Sequence, residues 1–111
     1  PLPVTCTVAV STTHATVLAP IHVDVRVHNT SEAVADLVLT VDETDDFGID
    51  GFQGRLAISM LLPQEHRTFP LTLWPKRPGP LVLPRVRAWD REASEVRVDL
   101  TAPAIVHVAS Q

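Results

Sequence analysis

Tyrosine is absent from this chain of 111 residues, and cysteine, methionine and lysine occur once each, as Cys6, Met60 and Lys76. A lone cysteine forms no disulfide within the chain. Together with the missing tyrosine, it excludes both the Cys–Trp–Cys pattern and the tyrosine corner of antibody-type domains. No apolar run approaches the ~20 residues that a membrane-crossing helix needs, and no basic segment leads into an apolar leader-like stretch. Positive charge is also scarce. Nine Lys and Arg stand against thirteen Asp and Glu, a net charge of −4, which weighs against generic nucleic-acid binding. The chain opens on Pro1-Leu2-Pro3 and stops at Ser110-Gln111, and it is expected to be a single domain, residues 1–111, cut from a longer protein.

What is abundant is valine, in a period of two. Val4, Cys6, Val8 and Val10 alternate with Thr5, Thr7 and Ala9, and Ile21, Val23, Val25 and Val27 alternate with His22, Asp24, Arg26 and His28. The same alternation recurs at Leu37–Val41, Leu56–Met60, Phe69–Leu73, Leu81–Ala88 and Val96–Leu100, with a last short run at Ile105–Val108. Such runs are half-buried strands, and no stretch sustains an apolar period of 3.6. Turn signals at Ser11–Thr13, Asn29–Ser31, Gly48–Gly54, Pro63–Glu65 and Pro78-Gly79 separate them. The reading is an all-β, immunoglobulin-like antiparallel β-sandwich of seven to eight strands. One helical turn at Glu32–Ala35 is allowed. The parity switch at Pro84 predicts a bulge, and Pro70 and Pro84 are expected on an edge or at irregular points.

Candidate chemistry is thin. None of the five serines lies in a Gly-x-Ser-x-Gly elbow, and Cys6 reads as a small buried hydrophobe in a reducing compartment rather than a nucleophile. No enzymatic activity is expected. His22, Asp24 and His28 share one strand face, where two could ligate a metal, but Arg26 stands between them and no third ligand is evident. The run Asp42, Glu43, Asp45, Asp46 and Asp50 lacks the EF-hand order and reads as a solvated acidic loop. Neither metal nor cofactor is expected, and neither is a small-molecule substrate. Asn29-Thr30-Ser31 is a formal glycosylation sequon that reads as a turn.

The acidic loop has a positive counterpart. Lys76, Arg77, Arg85, Arg87 and Arg91 cluster around the proline-rich turn and the strand after it, and Arg85, Arg87 and Trp89 share a face if that strand is regular. Arg and Trp are the residue types that anchor interfaces, so Lys76, Arg77, Arg85, Arg87 and Trp89 are the candidate partner-binding set. The other reading is a solvated edge on which Arg deters pairing. Phe47, Phe52, Phe69, Trp74 and Trp89 are the only aromatics and follow no RNA-binding pattern. Trp74, next to Pro75, fits either a core plug or a rim anchor.

One stretch carries more than local meaning: LLPQEHRTFPLTLWPKRPGPLVLPRVRAWD, from Leu61 to Asp90. Its sequence of strand, proline turn, strand, P-x-x-x-G turn and strand entered through Leu-Pro resembles the C-terminal, gryzun-type β-sandwich of the long TRAPP vesicle-tethering subunits. Leu62, Pro63, Pro75, Gly79, Leu83, Pro84 and Val86 match, with Gly54 offset by about one position. In physical terms, Gly79 would take positive φ in a tight turn, and Pro63 and Pro84 would end or kink strands. The resemblance implies a non-catalytic scaffold in tethering and Rab-activator assembly. Its partners would be other protein subunits, and it would sit in the cytoplasm with peripheral Golgi and membrane association through the complex. A secreted or cell-surface sandwich for ligand binding or adhesion is the alternative.

Overall fold

The alternating segments fold as strands that bury one parity and expose the other. A computed structural model describes residues 4–51, 55–92 and 94–110. Gly54 and Phe52, named above, lie outside the described residues. A five-stranded sheet contains, in spatial order, β11 (Val98–Leu100), β1 (Val4–Val10), β3 (Ile21–Asn29), β7 (His66–Pro75) and β5 (Phe47–Asp50). A four-stranded sheet contains β10 (Glu95–Val96), β9 (Val86–Asp90), β4 (Ala35–Val41) and β6 (Arg55–Leu61). The third holds β2 (His14–Thr16), β12 (Ile105–Ala109) and β8 (Gly79–Val82). The sandwich is therefore built from twelve described strands rather than seven or eight. Pairing is antiparallel except for β1–β11 and β2–β12.

All three sheets feed one core. Ile21, Val23, Val25 and Val27 of β3 meet Leu37, Leu39 and Val41 of β4, and Leu81, Val106 and Val108 come from the third sheet. Fully burying a Leu or Ile side chain such as Leu39, Leu61 or Ile21 stabilises by about 1.5–3 kcal/mol. Cys6 lies in this core. Burial first, and the Asp99 charge second, push its thiol up to about 11, so it stays a neutral core side chain.

Four local expectations change. The acidic loop ends at Asp46, because Phe47 is buried and opens β5, which pairs with β7 from Thr72 to Pro75. The parity switch at Pro84 is a change of sheet, not a bulge: β8 ends at Val82 in the third sheet and β9 starts at Val86 in the second. Glu32–Ala35 forms no helical turn. Ser31–Ala33 bend instead, with the Ala33 N–H donating to the Ser31 hydroxyl oxygen at 3.2 Å. Pro70 sits inside β7, an interior strand, opposite Asp24 of β3. Among the described residues β5 reaches only to Thr72, so no described strand meets the side of β7 that lacks an N–H at Pro70. Two expectations hold as stated: Gly79 has φ of 115°, and Pro63 follows the end of β6.

Candidate functional site

The outer face of the second sheet follows from the parity of its strands. On β9, Val86 and Ala88 point into the core, which turns Arg87 and Trp89 outward. On β4, Leu37, Leu39 and Val41 point inward, leaving Asp36, Val38 and Thr40 outside. The β4–β9 register sets Trp89 directly opposite Val38 and Arg87 opposite Thr40, and on the other flank β6 sets Arg55 opposite Thr40. Trp89 is half-buried, and its indole N–H donates a long bond, 3.4 Å, to the Thr40 hydroxyl. Asp36, Val38, Thr40, Arg55, Trp89 and Arg91 line a shallow cavity of about 420 Å³ there.

The charges on this face interleave. Arg87 donates through Nε to both Asp42 oxygens at 3.2 Å, and its Nη1 lies 3.5 Å from Glu95 Oε1. Arg85 reaches the same Glu95 oxygen at 3.6 Å. Arg91 bonds Asp36, whose carboxyl also accepts the Met60 N–H at 2.9 Å. Those two hydrogen bonds, the Arg91 one first, hold the Asp36 carboxyl below the usual carboxylate range. Among the described residues Arg55 enters no ion pair.

Arg85, Arg87 and Trp89 thus come together on one face, as their spacing predicts. Lys76 and Arg77 do not join them. They follow β7 of the first sheet, where Arg77 Nε donates to Asp46 Oδ1 at 2.7 Å and the Lys76 N–H bonds the Asp46 carbonyl. The five residues split into two groups joined by the loop 42–46, with Arg87 on its first carboxylate and Arg77 on its last. The acidic loop and the Arg-rich strand are therefore each other's partners rather than opposite poles. Sequence reading missed Arg55, Val38 and Thr40. The opposite parity of Asp36, Val38 and Thr40 to the buried Leu37 and Leu39 put them outside, but only the long-range β4–β9 pairing shows that they surround Trp89.

The other candidates are also placed. His22, Asp24 and Arg26 line the exposed face of β3, with Arg26 4.0 Å from Asp24. His28 turns to β7, where its ring stacks on His66 at 3.7 Å, with planes 9° apart. Parallel rings aim their lone pairs side by side, not at one point, which suits stacking rather than chelation. Among the described residues no three His, Cys, Asp or Glu gather as a metal site, in the acidic loop included. Trp74 is a rim residue, 39% exposed and opposite Gly48 of β5. Asn29 is fully buried. Its amide nitrogen donates to the carbonyls of Ala33 and Leu61 at 2.8 and 2.9 Å, and its oxygen accepts from the Ser31 N–H and hydroxyl at 3.0 and 2.7 Å. The sequon nitrogen is thus fully engaged in the folded domain, as a turn residue.

No helix occurs among the described residues, and none is long and apolar enough to cross a membrane. Two solved structures share the architecture. A FixG-related protein from Vibrio parahaemolyticus superposes with a TM-score of 0.56 at 15% identity, over 88% of this chain and 93% of that one. A non-cellulosomal cohesin from the archaeon Archaeoglobus fulgidus superposes with a TM-score of 0.54 at 12% identity, over 96% of this chain and 92% of that one. At such identities the likeness speaks for the sandwich fold alone. No curated protein matches the sequence. A family model does, over residues 12–99, far beyond the Leu61–Asp90 stretch that carries the resemblance. The chain belongs to the family of the C-terminal domain of trafficking protein particle complex subunit 13.

Proposed function

We propose that this domain is a non-catalytic docking module of a TRAPP-type tethering complex, and that it binds a neighbouring subunit through the outer face of its second sheet. Trp89 carries this reading. It is a half-buried indole at the centre of a sheet face, flanked by Arg55, Arg87 and Arg91 and by the carboxylates that orient two of them. Interfaces concentrate their energy in such Trp and Arg residues, while the surrounding charged pairs set register and exclude mismatched partners. Lys76 and Arg77, at the far end of loop 42–46, extend the surface as rim contacts. Through its complex the domain would serve vesicle tethering and Rab-activator assembly at the Golgi, in the cytoplasm and with only peripheral membrane contact. Its partners are protein subunits, not nucleic acid or a small-molecule substrate.

The test is co-purification with the other complex subunits. Trp89→Ala should weaken capture at least ~10-fold, as hot-spot tryptophans do. Charge reversal of Arg85 and Arg87 should slow association and remove most of its salt dependence. Undiminished capture by both variants would exclude this face.

A further inference from the structure

A second surface lies at the side seam of the sandwich, where each of the three sheets ends. β8, β10 and β11 are each paired on one side only, with β12, β9 and β1. Between them runs a groove of about 630 Å³ whose apolar lining includes Val82, Leu83, Pro84, Val98, Leu100 and Ala104. Val82 and Leu100 are 63% and 47% exposed, large hydrophobic side chains left in water beside an apolar slot.

One residue also offers a full backbone donor and acceptor beside the groove, since Pro80 and Pro84 on the same edge carry no N–H. The Leu83 N–H bonds the Ala104 carbonyl at 2.8 Å, in step with the β8–β12 register. By the alternation of an antiparallel ladder, Leu81 and Gly79 then bond β12, and the N–H and C=O of Val82 point to the open side. The open edge of β6 is treated differently: the Arg67 guanidinium covers the Ser59 and Met60 carbonyls at 3.2 and 3.0 Å. Nothing comparable caps Val82 among the described residues. The charge on the rim points to one kind of occupant. Arg85 and Arg97 line the groove against Glu95, two guanidiniums to one carboxylate among the described lining, on a chain whose net charge is −4. Arg85 and Arg97 hold their side chains 64% and 77% exposed, long enough to reach a neighbouring strand.

We infer that this groove binds an extended segment of a partner polypeptide in which apolar residues alternate with Asp or Glu. The segment adds as a strand along Val82. One row of its side chains enters the slot beside Pro84 and Leu100, and its carboxylates meet Arg85 and Arg97. This surface shares Arg85 with the margin of the Trp89 face but does not include Trp89.

The probe is a library of random short peptides displayed on phage and selected on the purified chain, followed by fluorescence anisotropy on the enriched peptides. Enriched sequences should alternate apolar and acidic residues. Val82→Glu or Leu100→Glu should weaken their binding at least ~10-fold, as loss of an anchor does. N-methylation of alternate peptide amides should abolish binding, whereas Trp89→Ala should leave it unchanged. Arg97→Glu, at an exposed position that folding does not need, should weaken binding of the acidic peptides and spare versions with glutamine in place of glutamate. The inference is overturned if no peptide is enriched, if the enriched ones are basic or helical in pattern, or if none of the groove variants weakens binding. It is equally overturned if sedimentation shows a dimer that Leu100→Glu dissolves, since the occupant is then a second copy.

Discussion

The turns before and after β4 are both held by polar side chains, in opposite physical regimes. At one end Asn29 is buried, uncharged and saturated. It ties the turn after β3 to the end of β6 with four side-chain hydrogen bonds, while its backbone pairs with Gln64 and Glu65. At the other end the loop 42–46 is held by ions on the surface, Arg87 on Asp42 and Arg77 on Asp46. A buried network is costly to break because its orphaned groups cannot return to water. An exposed ion pair gives up little, since water and salt replace either partner. The first end is therefore built to hold shape, and the second leaves charged side chains able to exchange a carboxylate of their own for one on a partner.

The largest effect should come from the buried end. Asn29→Ala leaves the buried Leu61 carbonyl without a partner, at about 1–3 kcal/mol, and removes the bonds to the more exposed Ala33 and Ser31, whose groups can turn to water, so a loss of about 2–4 kcal/mol is expected. Urea unfolding of the purified domain measures it. Asn29→Asp should do no better, because it keeps the bonds from Ser31 but turns an acceptor and a charge on the Leu61 carbonyl. A loss below about 1 kcal/mol for Asn29→Ala would mean that this corner is not held as described.

At the charged end the same measurement should give far less. Arg77→Ala and Arg87→Ala should each move the urea midpoint only slightly, and the shift should shrink in roughly molar salt, where screening is nearly complete. The pairs touch opposite ends of the loop and share no atom, so the double variant should be close to additive. A large, salt-independent loss would make this end structural in the same sense as the Asn29 corner, and would weaken its claim to a role in docking.

How much of this contrast a sequence can carry depends on the range of the interaction. The inward parity of β1, β3 and β4, the positive φ at Gly79 and the shared face of Arg85, Arg87 and Trp89 are local, and period and turn chemistry state them. The turn role of Asn29 is local too, since Ser31 and Ala33 are its neighbours, but its bond to Leu61 spans the fold. Phe47 is hidden by its acidic surroundings, so β5 reads as loop. The leap from one sheet to another at Pro84 reads as a bulge, because both shift parity by one residue. The pairings that define the site, Arg87 with Asp42, Trp89 with Val38 and His28 with His66, are matters of strand register. Register is fixed by the packing of whole sheets and not by any short stretch.

The smallest effect should be one of slope, in acid, and it separates the two ends once more. Glu65 lies beside the Asn29 corner, where its carboxylate accepts from Arg67 Nε at 2.8 Å and from the Leu62 N–H at 2.8 Å. Those bonds, the Arg67 one foremost, hold it below its ordinary value, and Arg91 does the same for Asp36, which braces the Met60 kink in β6. A carboxylate with a lowered folded pKa binds fewer protons folded than unfolded. Its stabilising contribution is present above the unfolded pKa and is lost as the pH falls through the folded one. Stability should therefore decline as the pH falls below the ordinary carboxylate range, measured as the urea midpoint at each pH. Glu65→Gln and Asp36→Asn should each flatten that decline while lowering stability slightly at neutral pH. An unchanged slope in both variants would show that the acid response arises elsewhere. The bonds around Glu65 would then be geometric without being energetic, like many exposed pairs.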